Sequence, residues 1–451
     1  MTNLLFVTGN VFARYALMLA KNMEVNGFKT CFSTNLFPMR RKIAKNGWSK
    51  ADIFFPNIEA GKKSSVNECG ITNSEIKAEM EFVVTKSAIL GNQIDLDEDF
   101  YKNCNRIINY YDDIVTSRKI SAVLMWNYKS FPNNLIKLVC EKRRIKCVFF
   151  EEGLFRPAKL TVDPQGLNYE NSVPRDKDFF KALDEANEPT LDRELIISDR
   201  RILELNRWAK KAAALEEKIS LITQPYSRFM NFDQVKRRKT LLKLMSKLDR
   251  EQDSINLDGR KIIFIPFQVR VDTQIICFSP RIKNMIDLTD AMVTAFRSAQ
   301  ELGYFKDYVL AFKEHPADFG SVAYQDLFSR YAADKDILFL KRYPVNDLIE
   351  AAEFVVTVNS TVGIEALQSA KKVLVLGNAF FAIEGLVKIN NDLNCLTDDL
   401  IAMTTFEPDP LLRHKFIHYV KDIYNVNGDK NSFTGENTRA LTQRVIDLVN
   451  G

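Results

Sequence analysis

Histidine is scarce in this chain, three among 451 residues, and tryptophan equally so. Any chemistry that needs an imidazole therefore has few places to sit. Cysteine is more frequent, but the seven (Cys31, Cys69, Cys104, Cys140, Cys147, Cys277 and Cys395) are scattered, odd in number and never two residues apart. Neither a disulfide framework nor a zinc site is indicated, and a reducing cytoplasm fits best. Long apolar runs are also missing: nothing approaches the roughly 20 residues that span a bilayer. The opening from Met1 to Gly9 has no basic stretch before its short apolar run and no small-residue cleavage site after it, so it reads as a strand and not as a signal peptide. The expectation is a cytoplasmic protein whose only membrane contact is peripheral, at the inner membrane. The chain also lacks GxxxxGK followed by Ser or Thr, GxGxxG after a strand, and GxSxG, so NTPase, dinucleotide and hydrolase readings lack their machinery. The net charge of +5 is small for this length, and basic residues do not gather with interleaved aromatics, which argues against a nucleic-acid partner.

What is present is an ordinary globular composition, 46% apolar and 27% charged, in a chain long enough for two cores. Leu4 to Val7, a helical stretch from Phe12 to Val25 and a strand at Lys29 to Ser33 make a βαβ opening. After a polar, irregular region from about Ser49 to Asn92 the pattern resumes with Ala122 to Trp126, a helix from about Pro132 to Arg144, and Lys146 to Phe150. A charged helical region from Asp192 to Leu248 leads to a second series of strands at Lys261 to Pro266, Tyr308 to Lys313, Ile337 to Leu340, Phe354 to Val358 and Val373 to Leu376. Helices follow at Pro410 to Tyr424 and Thr438 to Val449. Strand and helix in alternation predict parallel sheets covered on both faces. The fold class is α/β, with an N-terminal α/β domain at 1–245, a C-terminal one at 246–405 and C-terminal helices at 406–451. Ligands of such sheets bind beyond the carboxyl ends of the strands, so polar residues just after strands are the candidates.

They gather in four places. Glu151 and Glu152 close a strand, with Gly153 to turn the chain and Arg156 beyond, a pairing of acid and anion clamp; the plainer reading is an exposed acidic turn. Gln268, Arg270, Asp272 and Gln274 alternate with apolar residues and Thr273, so an extended stretch would present all four on one side; an ion-paired, half-exposed strand would look the same. Lys313 and His315 end another strand before Pro316, where they suit a phosphate. Finally Asn359, Ser360 and Thr361 lead from strand to helix; a hydroxyl there can cap the helix, whose free N–H groups attract anions, and Glu365 one turn in is placed to receive a ribose hydroxyl. A cap alone would also explain the Ser-Thr pair.

Other signals carry less. Asp97-Glu98-Asp99, Asp176-Lys177-Asp178 and Asp334-Lys335-Asp336 spell DxD, but none closes a clear apolar strand, and no metal site is expected from them. His414 and His418, four apart, have no acidic companion and read as a solvated helix face. The basic runs Lys142 to Arg144 and Lys236 to Lys239 read as solvated faces or as contacts to anionic lipid.

Taken in order, Glu151-x-Gly153-x-x-Arg156-Pro157 with Thr161 and Gly166-Leu167-Asn168, Gln268-x-x-x-Asp272-x-Gln274, His315-Pro316-x-Asp318 and Asn359-Ser360-Thr361-x-Gly363-x-Glu365-Ala366-Leu367 resemble the bacterial capsule polysaccharide biosynthesis family, whose characterised members are retaining β-Kdo glycosyltransferases. The resemblance runs from about Lys146 to Leu376. It implies a GT-B-like fold of two Rossmann-like domains facing a cleft and CMP-Kdo as donor. It also implies a lipid-linked or polysaccharide acceptor in capsule or O-antigen synthesis, within a peripheral or polysaccharide assembly complex. By the same resemblance Asp272 corresponds to the proposed nucleophile, His315 to the histidine of the HP motif, and Ser360 and Thr361 to the CMP-binding helix start. No cofactor is implied, since a single phosphate can be neutralised by protein groups. A GT-B-like transferase for a UDP-sugar or CDP-polyol, and a non-catalytic capsule assembly component, would carry similar residues.

Overall fold

The computed structural model describes residues 2–9, 12–155, 159–184, 208, 211–212, 214–216, 253, 257, 259–318, 324–428 and 435–451. The charged region from Asp192 to Leu248 thus lies almost wholly outside the described residues.

By their internal contacts the residues divide into two units, one of 1–172, 186–235 and 421–451, the other of 173–185 and 236–420. The first is built on strands β1 (Asn3–Thr8), β2 (Lys29–Thr34), β3 (Ile53–Phe54), β4 (Ile120–Trp126), β5 (Lys146–Glu152) and β6 (Lys159–Asp163). Their order is β6-β5-β4-β1-β2-β3, parallel from β5 to β3. β6 turns back antiparallel on β5, and the short strand Val426–Asn427 pairs antiparallel beyond it. Leu4, Leu5 and Phe6 have no exposed surface, which is why β1 reads as a continuous apolar run: a central parallel strand is covered on both faces.

The second unit holds β7 (Lys261–Pro266), β8 (Tyr308–Lys313), β9 (Ile337–Leu340), β10 (Ala352–Thr357), β11 (Lys372–Val375) and β12 (Lys388–Ile389). All neighbours are parallel, in the order β12-β11-β10-β7-β8-β9. Counted from β7 this is the Rossmann order 3-2-1-4-5-6, whose direction reverses between the first and fourth strands. Helix Met285–Glu301 covers one face, burying Leu288, Met292, Phe296 and Ala299 against Ile263, Leu310 and Phe354.

Two differences from expectation stand out. The region read as irregular contains the helix Asn73–Ile89, started by a reciprocal cap between Thr72 and Glu75, and a long helix Glu98–Ser117 follows it. The C-terminal helices do not stand apart: Pro410–His418 belongs with the second unit, whereas Gly435–Asn450 buries Leu441, Val445, Ile446 and Val449 in the core of the first. A short π-helical turn, Tyr419–Tyr424, separates them.

Candidate functional site

The reversal point of the second sheet lies between β7 and β10, and the residues that follow β7, β8 and β10 are those the sequence singles out. Gln268 and Asn359 clasp each other across it. Gln268 Nε2 donates to Asn359 Oδ1 at 3.0 Å, and the Asn359 N–H donates to Gln268 Oε1 at 3.3 Å. Asn359 Nδ2 also donates to the carbonyl oxygens of Gln274 at 2.8 Å and Phe278 at 3.3 Å. Both side chains are buried, and buried amides need such partners. Gln268 and Asn359 therefore fix the strand ends to one another.

The stretch expected to extend from Gln268 to Gln274 does not. The Asp272 N–H donates to the Val269 carbonyl at 2.8 Å, closing a turn, and Asp272 then caps the short helix Thr273–Phe278 by accepting from the Gln274 N–H at 2.9 Å. Aspartate competes for nearby backbone donors in this way, and the apolar alternation belongs to turn and helix, with Gln274 buried on the helix. Asp272 itself is half-buried. Arg270 turns to the end of β8: its N–H donates to Asp318 Oδ2 at 2.8 Å, and its Nε lies 3.9 Å from Asp318 Oδ1.

At that end His315 is half-buried, and its Nδ1 accepts the Ala317 N–H at 3.1 Å. A ring nitrogen that accepts carries no proton, so the ring's N–H lies on Nε2. Lys313 is buried and donates to the carbonyls of Glu314 at 3.2 Å and Lys341 at 3.4 Å; burial lowers its pKa. The residue sequence reading passed over is Glu314. It is 3% exposed, and burial pushes its carboxyl up to about 7, with Lys341 pulling it down and Asp318 adding to the rise. A carboxyl that exchanges a proton near neutrality at a strand end is a candidate acid or base. The signal lay beside His315 in the sequence, but its burial between β8 and β9 was not visible there.

After β10, Ser360 Oγ accepts the Val362 N–H at 3.2 Å, while Thr361, at the formal cap position, makes no side-chain cap. Gly363 keeps the helix Val362–Gln368 close to its neighbour, because a Cβ there would lie 2.7 Å from Phe381 Cζ. Glu365 is half-buried in the first turn of that helix.

Glu151 and Glu152 belong to the first unit. They are the last residues of β5, opposite Thr161 and Leu160 of β6, and so point to opposite faces. Gly153 makes the hairpin possible: a Cβ would fall 2.4 Å from the Lys159 carbonyl. Arg156 lies outside the described residues. In β6, Asp163 is fully buried and ties down the following loop, accepting from the N–H groups of Gln165, Gly166 and Ser172 at 2.7–3.0 Å and from the hydroxyls of Ser172 and Tyr424 at 2.8 Å each. Gly166-Leu167-Asn168 thus continues a loop shaped by this carboxylate.

The three DxD triplets are engaged locally. Asp97 and Asp176 cap helices, and Asp334 and Asp336 hold Arg297. Arg143 of one basic run is paired with Asp112 through two bonds at 2.5 and 2.6 Å.

Two α/β units, one with a Rossmann sheet whose polar residues crowd its reversal point, define the class. The chain belongs to the capsule polysaccharide biosynthesis protein family, whose model matches residues 121–428. It is 30% identical over 325 residues to Protein FixF of Sinorhizobium fredii, covering 72% of this chain and 64% of that protein, so it spans less than two thirds of FixF. It is 29% identical over 285 residues to the capsule polysaccharide export protein KpsS of Escherichia coli, covering 61% of this chain and 70% of that protein. Among solved structures, Thermosulfurimonas dismutans KpsC, a beta Kdo 2,7 transferase, aligns at 15% identity and a TM-score of 0.37, covering 84% of this chain and 97% of that one. Among the described residues no helix is long and apolar enough to cross a membrane.

Proposed function

We propose that this protein is a retaining glycosyltransferase that moves Kdo from CMP-Kdo onto a lipid-linked or polysaccharide acceptor in capsule or O-antigen synthesis. The observation that carries the reading is that Asp272, His315 and Ser360 follow β7, β8 and β10, three adjacent parallel strands at the reversal point of one sheet, in a chain of the capsule family. Retention by two inversions needs a nucleophile on the sugar face opposite the leaving CMP, and a carboxylate is the usual one. Asp272 takes that role, breaking the bond between the anomeric carbon and the phosphate oxygen as its own forms. His315 Nε2–H, the Ser360–Thr361 turn and Lys313 bind the CMP phosphate, and Glu365 receives the ribose. Arg270, Gln274 and Arg156 belong to the donor site, and Glu151 or Glu152 takes the proton of the acceptor hydroxyl in the second step. Gln268 and Asn359 support the site by holding its strands.

Asp272→Asn tests this cleanly, because asparagine caps a helix as well as aspartate does. The variant should melt like wild type and bind CMP, yet lose on the order of a thousandfold in transfer. Wild type given CMP-Kdo without acceptor should gain a Kdo-sized mass at Asp272. An adduct elsewhere, or near-normal turnover in the variant, refutes the assignment. The export role in the printed name of KpsS favours a second reading, a non-catalytic assembly component. Nucleotide release from CMP-, UDP- and CDP-activated donors separates the two, and binding of the same panel separates Kdo from a UDP-sugar or CDP-polyol.

A further inference from the structure

The first sheet also reverses direction, between β1 and β4, and a cavity of about 280 Å³ lies there at the carboxyl ends of β1, β2 and β4. None of the residues placed in the donor or catalytic machinery lines it. Among the described residues that form its wall, none is Asp, Glu, Lys, Arg or His. Trp126 and Phe131 supply apolar surface, with Trp126 braced by Tyr15 at 6.4 Å and by Phe12 at 6.3 Å between ring centroids. Three amides supply polarity. Asn127 Oδ1 accepts from the Lys129 N–H, leaving its Nδ2 as a donor; Asn133 Nδ2 donates to the Trp126 and Asn127 carbonyls, leaving its Oδ1 as an acceptor. Among the described residues nothing engages the Asn35 side chain, so it offers both. The N–H groups of Asn134, Leu135 and Ile136, in the helix that starts at this wall, are already spent on the Ser130 and Pro132 carbonyls.

We infer that this cavity binds one uncharged sugar ring, the terminal residue of the acceptor glycan; the word acceptor rests on the transferase reading above. Sugar hydroxyls each donate and accept, as the amides do, and the ring's C–H face suits an aromatic wall. A carboxylate or phosphate would have to shed water with no cation to replace it, which is costly. The volume sits at the low end of ligand pockets, room for a ring and not for a chain.

The test is binding without turnover. Saturation-transfer NMR and titration of the full chain with the methyl glycosides of glucose, galactose and mannose should give millimolar binding by at least one, and none by methyl glucuronide or inorganic phosphate. Asn35→Ala, which removes no side-chain hydrogen bond among the described residues, should weaken the neutral glycoside about tenfold with an unchanged melt; Trp126→Phe should weaken it as well. Equal or tighter binding of the glucuronide or phosphate, no binding by any neutral glycoside, or unchanged affinity in both variants would overturn the inference. CMP titrated into the same samples keeps the two readings apart: sugar binding without CMP binding sinks the transferase reading alone, and CMP binding without sugar binding sinks this one alone.

Discussion

Replacing Glu314 by glutamine should make the protein more stable at pH 8 and remove a pH dependence that wild type carries. Burial raises the Glu314 carboxyl from its ordinary 4.5 to about 7, so the folded state holds a proton that the unfolded chain releases across the interval between those values. Where the unfolded state binds fewer protons, stability falls as pH rises. The contribution is thus fully present below 4.5, declines through the interval and is lost once pH passes 7. At about 1.4 kcal/mol for each tenfold change in proton affinity, the span corresponds to roughly 3 kcal/mol. Glutamine keeps the shape and the hydrogen-bonding atoms but cannot ionise. Urea unfolding of both proteins at pH 5, 6, 7 and 8 should show a declining midpoint in wild type and a flatter one in Glu314→Gln, the curves crossing or converging toward pH 5. Parallel curves over the whole range would mean that Glu314 meets solvent or a cation well enough to stay ionised, and its candidacy as an acid or base would fall with it.

His315→Ala removes the Nε2–H donor and should weaken CMP by about 1.5 to 3 kcal/mol, the worth of a hydrogen bond to a charged group; calorimetry showing unchanged affinity would return His315 to holding the Ala317 turn. Transfer should be metal-independent, since the phosphate partners proposed are all protein groups; activity lost in EDTA and restored by magnesium would contradict this. Gly153→Ala should cost several kcal/mol, because the Lys159 backbone 2.4 Å from the added carbon has nowhere to go, and an unchanged thermal melt would show that the hairpin can open.

The strands were the most legible part of the fold. Lys261 to Pro266 and Tyr308 to Lys313 fall where their apolar runs placed them, because parallel strands buried on both faces leave an uninterrupted hydrophobic record. The helix Asn73–Ile89 left a weaker one. Its buried residues Ile76, Met80, Val83 and Ser87 follow helical spacing, but Phe82 and Ile89 lie off that stripe and blur it in the sequence, though the Thr72-x-x-Glu75 cap was there to be read. At the candidate site the segments after β7, β8 and β10 do follow strands, as the sequence pattern predicts, but the shape of one of them differs. Alternation from Gln268 to Gln274 looked like a strand because the side-chain cap by Asp272 is a local contest between hydrogen bonds that periodicity does not register. Glu314 went unremarked for a different reason: a raised carboxyl is a property of burial between strands distant in sequence. The amides at Asn35, Asn127 and Asn133 come from three segments and become a set only when β1, β2 and β4 lie side by side.

The placement of the last helix sets an order on how the chain is completed. Leu441, Val445, Ile446 and Val449 fill the core of the unit that begins at the N-terminus, and they leave the ribosome after every residue of the other unit has been made. Domains usually close as they emerge, the first one first. Here the unit begun first is finished last, and until then its sheet has an unfilled face and no strand at Val426–Asn427 to cover β6.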